Sequence, residues 1–101
     1  MKILINGEKK YDILSSAIRS NTSTDTSTLI LSANMVDEVT YDQFKEDLST
    51  VETLSILRDA GEVDVSEYNY LTKFDREIRE DKDTINITMI KSSDRSNANL
   101  K

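Results

Sequence analysis

The sequence predicts an α+β domain: a mostly antiparallel sheet, or a small open barrel, of about six strands with one short helix, in the order βββαβββ. Three observations carry this. Short aliphatic runs with alternating polar residues recur on both sides of one segment that has helical spacing. No strand–helix alternation is present, which argues against a doubly wound parallel fold. Near the start stands Asn6-Gly7, the pair favoured in tight hairpin turns because both residues tolerate positive φ.

The aliphatic run at residues 1–5 leads into that turn. Beyond it Tyr11, Ile13 and Ser15 alternate with Asp12 and Leu14. Two antiparallel strands are expected, at about residues 2–6 and 9–18. Residues 20–28 read SNTSTDTST, a polar stretch without an apolar anchor, and are expected to form a mobile loop. Leu29, Ile30 and Leu31 follow, and Ala33 and Met35 continue one face. This third strand is expected to be central, because both of its faces are apolar near its start.

The clearest local signal is Val39-Thr40-Tyr41-Asp42-Gln43-Phe44. Thr40 and Gln43 have capping-box spacing, and Val39 and Phe44 flank them as a hydrophobic staple. Tyr41, Phe44, Leu48 and Val51 share one helical face, with Asp42, Glu46 and Asp47 on the other side. A helix is expected at about residues 41–49.

Leu54, Ile56 and Leu57 mark the next strand, which ends at Asp59-Ala60-Gly61-Glu62, where Gly61 can take positive φ. Val63 and Val65 alternate with Asp64 and Ser66, and Tyr68 and Tyr70 fall two apart on one face. Phe74 and Ile78 mark a further strand after Leu71, with a bulge or bend at residues 69–73. A turn at Asp81-Lys82-Asp83 leads to Ile85, Ile87 and Met89 on one face and Ile90 on the other. The domain is thus expected to span residues 1–91, with a flexible polar tail at 92–101. With no Pro in the chain, exposed edges must be blunted by charge, and Arg76, Arg79 and Lys82 suit that role.

Composition bounds the chemistry. At 101 residues the chain suits one domain. Its 6% aromatic content calls for an aliphatic core, and its 32% charged content favours solubility. The formal charge is -6. Lys91, Arg95 and Lys101 against Asp94 give the last stretch +2, which leaves -8 for the residues before it. This balance argues against direct binding of a nucleic-acid backbone. The acidic excess either keeps the chain soluble or attracts a basic protein groove.

With no Cys and no His, thiolate chemistry, disulfides and the usual neutral-pH proton shuttle are absent. Two glycines, Gly7 and Gly61, do not make a phosphate-cradling loop, and no serine sits in a nucleophile elbow. No cofactor or metal is expected. Asp75, Glu77, Glu80, Asp81 and Asp83 crowd one segment, yet Arg76, Arg79 and Lys82 interleave them as ordinary ion-pair partners. Asp81-x-Asp83 also lacks the glycine and distal glutamate of a calcium loop. Tyr68 and Tyr70 can anchor an interface or pack beneath the helix. No secretion signal or membrane-length apolar run is visible, so an intracellular location without membrane association is the expectation.

The stretches Ser27-Thr28-Leu29-Ile30-Leu31, Val39-Thr40-Tyr41-Asp42-Gln43-Phe44, Leu54-Ser55-Ile56-Leu57, Tyr68-Asn69-Tyr70-Leu71-Thr72-Lys73 and Asp83-Thr84-Ile85-Asn86-Ile87-Thr88 follow one another in a characteristic layout. That layout resembles small phage- and prophage-encoded proteins of low-GC Gram-positive bacteria. The resemblance implies a non-enzymatic, tail- or baseplate-type virion accessory protein. It would bind a protein partner in the host cytoplasm or the virion, with self-association open. The alternative expectation is an acidic inhibitor of a host defence nuclease, in the manner of anti-CRISPR proteins, blocking a basic nucleic-acid groove. Candidate interface residues are Asp42, Glu46, Asp47, Tyr68, Tyr70, Asp75, Glu77, Asp81 and Asp83, with Asp37 and Glu38 as further acids for the inhibitor reading.

Overall fold

The computed structural model describes residues 1–24 and 26–91. The expected tail at 92–101 lies outside the described residues. Among them the elements run β1 (Lys2–Ile5), β2 (Lys9–Asp12), β3 (Ser15–Asn21), β4 (Thr26–Asn34), α1 (Glu38–Ser49), β5 (Leu54–Arg58), β6 (Gly61–Asp64), β7 (Tyr70–Arg79) and β8 (Lys82–Ile90). The strands pair antiparallel in two four-stranded sheets, ordered β2-β1-β5-β6 and β3-β4-β8-β7. The expectation of antiparallel strands with one helix holds. The count does not: there are eight strands rather than six, and the sheets do not close into a barrel.

Asn6 and Gly7 take φ of 55° and 74° and turn β1 into β2, as the sequence predicts. The expected strand at 9–18 is instead two strands in different sheets. The amide of Ile13 donates to the carbonyl of Met1 (2.9 Å), and the next amide, Leu14, donates to Ser32 in the other sheet (2.7 Å). The inward phase shifts by one residue at this corner: Tyr11 and Ile13 face the core, Leu14 and Ser15 are both exposed, and Ser16 and Ile18 take the inward positions of β3, with no Gly or Pro to mark the crossing.

The expected loop at 20–28 is also shorter than predicted. β3 and β4 stay in register to Asn21↔Thr26, and polar residues complete the ladder. Backbone hydrogen bonds and β-branched threonines hold these rungs without apolar anchors. β4 is central, between β3 and β8, as expected. The bulge falls at Leu71/Lys73, inside the predicted stretch, with Thr72 as the extra residue. The last turn is Glu80-Asp81 rather than 81–83, because Arg79 pairs with Lys82 and Glu80 takes the positive φ.

Paired residues share a face. Ile3, Ile5, Leu54 and Ile56 of one sheet therefore meet Leu29, Leu31, Ala33, Ile85, Ile87 and Met89 of the other, each at 1% exposure or less. Each of these side chains except Ala33 contributes about 1.5–3 kcal/mol of burial free energy.

The helix begins three residues earlier than expected. Asp37, not Thr40, is the N-cap, and its carboxylate accepts from the Thr40 amide (2.8 Å) and hydroxyl (3.0 Å). Thr40 is thus the third helical residue, and Val39 is 79% exposed rather than stapled to Phe44. Phe44 and Leu48, four residues apart, form the buried face. Phe44 stacks on Tyr11 of β2 and meets Phe74 of β7 edge-on. The helix so closes the side of the two-sheet stack between edge strands β2 and β7. Between the other two edges, β6 and β3, no helix lies among the described residues.

Candidate interaction surface

The ladder registers define the outer face of the β3-β4-β8-β7 sheet. Leu29, Leu31 and Ala33 point to the core, so Thr28, Ile30, Ser32 and Asn34 point away from it. On β8 the same alternation turns Lys82, Thr84, Asn86, Thr88 and Ile90 outward. On β3 it turns out Ser15, Ala17 and Arg19. Cross-strand rows follow. One is Ala17–Ile30–Thr88–Lys73 and its neighbour is Ser15–Ser32–Asn86–Asp75. Arg19 and Lys82, the latter at the very start of β8, are the charged residues among these outward positions of β3, β4 and β8, in a chain that is 32% charged. Half-buried Ile30 lies at the middle of the face, and the hydroxyls of Ser15 and Ser32 bond to each other at 2.6 Å. Charge resumes on β7 with Lys73, Asp75, Glu77 and Arg79.

This face continues round a free edge. β3 pairs only with β4, runs seven residues without a register shift, and carries one charge. The other edges are blunted. β6 has four residues with two acids, β2 lies against the helix with Lys9 and Lys10, and β7 has its bulge and a run of charges. Beside β3, the gap to β6 forms a groove of about 250 Å³ lined by Ser16, Ala17, Ile18, Leu29, Ile56, Arg58, Val63 and Val65. Ile18 and Val63 pair with buried Leu29 and Ile56, so they face inward, yet they remain 53% and 44% exposed. Arg58 spans the groove to the Ser16 hydroxyl at 3.1 Å.

The residues singled out from the sequence do not gather in one place. Tyr68 is buried at 4% exposure and shares a hydrogen bond with the Ser27 hydroxyl at 2.9 Å. Tyr70 lies on the outer sheet face opposite Ile90, so the two tyrosines do not share a face. The reason is that residues 65–69 form a turn before β7, where two-residue alternation does not hold. Asp42 and Glu46 are exposed on the helix. Asp47 is half-buried and accepts from the Tyr11 hydroxyl and from Gln43 Nε2 (2.9 Å). Burial and the adjacent Asp47 carboxylate push the Tyr11 phenol well above its usual range.

The acidic segment at 75–83 is split as well. Asp75 and Glu77 lie on the outer face, where Glu77 pairs with Arg79 and accepts from Asn86. Asp83 faces inward, and Arg76 Nε binds it at 2.8 Å with a second guanidinium bond alongside. That pair holds Asp83 below the ordinary carboxylate range and raises Arg76. Asp81 stands in the turn, exposed. Among the described residues no three carboxylates converge as a cation site. No helix there is long and apolar enough to cross a membrane.

The charge-poor face escaped the sequence reading, although its signal was present. The polar partners of the alternation in β4, and in β8 from Thr84 onward, are Ser, Thr and Asn, whereas those of β6 and β7 are mostly charged. Comparison with protein-family models, curated proteins and solved structures finds no match.

Proposed function

We propose that the chain is a non-enzymatic protein-interaction module that docks through the outer face of β3, β4 and β8. The observation that carries this reading is the charge depletion of that face around Ile30. Interface centres are depleted in charged residues because each buried charge must be desolvated. The resemblance noted in the sequence makes a phage virion component, of tail or baseplate type, the partner in view. Capture of partners by the tagged chain from phage-induced host lysate tests this, with Ile30→Lys alongside. Virion proteins should be retained through a high-salt wash by the native chain and lost by the variant. Retention unaffected by Ile30→Lys would remove this face from the account.

One observation favours a second reading. Glu38, Asp42 and Glu46 recur every fourth residue along the exposed side of the helix, a stripe suited to a basic groove. An inhibitor of a defence nuclease acting through that stripe would be captured with the nuclease at low salt and released at high salt.

A further inference from the structure

We infer that the open mouth between β3 and β6 binds an aliphatic carboxylate, with Arg58 holding its head and its alkyl body lying between the two sheets. The helix closes the opposite side of the stack, so on this side the inward faces of both sheets meet solvent. Strand alternation decides what lines the opening. Ser16, Ile18 and Leu29 face in from one sheet, and Ile56, Val63 and, past the end of β6, Val65 from the other. Arg58 follows Ile56 by two residues and faces in as well, whereas Glu62 and Asp64 alternate with Val63 and face away. The groove of about 250 Å³ is thus walled by aliphatic side chains and carries one charge, positive, in a chain of formal charge -6. At its rim Ile18 and Val63 leave apolar surface that an alkyl chain would cover.

The guanidinium is held in place. Its Nη2 donates to Ser16 Oγ at 3.1 Å, and that hydroxyl donates in turn to the Met1 sulfur at 3.6 Å. Among the described residues no carboxylate forms an ion pair with Arg58, which leaves its other N–H donors to a ligand. A carboxylate can accept from two of them side by side. Val65 stands beside Leu54, its amide bonded to the Leu54 carbonyl at 2.8 Å. From Leu54 to Arg58 the strand runs about 13 Å, the span of a saturated chain of roughly eight to ten carbons. A second copy paired along β3 would offer Ser16, Ile18 and Ser20 to the groove, and no anion for Arg58.

The probe is sodium octanoate, titrated below its micelle-forming concentration into the full chain and followed by methyl and backbone amide NMR shifts. Binding should saturate, with shifts at Ile18, Ile56, Val63 and Val65. Octylammonium and 1-octanol should bind about tenfold more weakly or worse, and Arg58→Gln should cost octanoate a similar factor. Arg58→Lys keeps the charge without the paired donors and should fall between. Arg79→Gln removes a positive charge from β7, at the opposite edge of the sheet from β3, and should leave the affinity unchanged. Arg58 is exposed, and circular dichroism checks that each variant folds. Equal binding of octylammonium, an affinity unmoved by Arg58→Gln, shifts centred on the helix, or no saturation would overturn the inference. So would tighter binding of an extended Val/Glu peptide with shifts along the β3 amides, which would give the mouth to a partner strand. Ile30 faces the other side of its sheet, so partner capture lost in Ile30→Lys would leave the docking face standing even where octanoate fails.

Discussion

Phe44 of the helix lies flat on Tyr11 of β2, with ring centroids 4.2 Å apart and planes 10° from parallel. The same ring meets Phe74 of β7 edge-on at 5.3 Å. A single side chain therefore joins the helix to one edge strand of each sheet. Phe44→Ala should lower stability by about 3–5 kcal/mol, the range for deleting a buried aromatic. Exposed Val39, predicted from the sequence to staple the helix start, should tolerate Ala within about 0.5 kcal/mol. Urea unfolding of the two variants checks both figures.

Asn6 does more than turn the first hairpin. Its side-chain oxygen accepts from the amides of Glu52 (2.7 Å) and Thr53 (3.1 Å), and its own amide donates to the Thr53 carbonyl (2.8 Å). Asn6→Ala removes the two hydrogen bonds its side-chain oxygen accepts and leaves at φ 55° a residue that tolerates the left-handed region less well than Asn. A loss of about 1–3 kcal/mol is expected. Asn6→Gly, which relieves the backbone but not the lost bonds, should recover part of it. Thermal unfolding of both variants separates the two contributions.

The acid and alkaline limits have different causes. Asp12, Asp37, Asp64 and Asp83 are held below the ordinary carboxylate value of 3.8 by Lys2, Thr40, Ser66 and Arg76 respectively. Their contribution is full above that value and is lost as pH falls through the lowered ones. Stability should therefore decline below about pH 4, and Arg76→Gln should flatten the decline. Tyr11 behaves in the opposite sense. Its phenol is raised above 10.0, so its contribution is full below that pH and is lost as pH climbs towards the raised value. Tyr11→Phe should remove that alkaline loss. Unfolding midpoints measured across pH test both arms.

Much of the fold was legible where one residue type decides the local backbone. Asn6-Gly7, Gly61 and the clean alternation of Ile85, Ile87 and Met89 each marked an element that the structure contains. The sheet crossing at Ile13-Leu14 was not legible, because no Gly or Pro marks it and Ala17, which continues the apolar phase of Tyr11 and Ile13 in sequence, faces outward once the inward phase has passed to Ser16 and Ile18. The cap was misplaced because Thr40-x-x-Gln43 and Asp37-x-x-Thr40 both present a capping side chain three residues before a polar one. Asp37 takes the cap because its carboxylate accepts from both the amide and the hydroxyl of Thr40. Among the candidate site residues, the acids at 75–83 looked like one cluster in sequence. Strand alternation sends Glu77 and Asp83 to opposite faces of the sheet. The proposed docking face joins the β3-β4 hairpin to β8, which is distant in sequence, and no local window contains it.

If a partner covers the outer face of β3, β4 and β8, carbene side-chain footprinting of the chain, free and in the captured complex, will register it. Labelling at Ile30, Thr88 and Ala17 should fall in the complex, while Glu38, Asp42 and Glu46 on the helix keep their free-state labelling. Protection of those three helix acids with Ile30 unchanged would contradict the account and hand the interface to the acidic stripe.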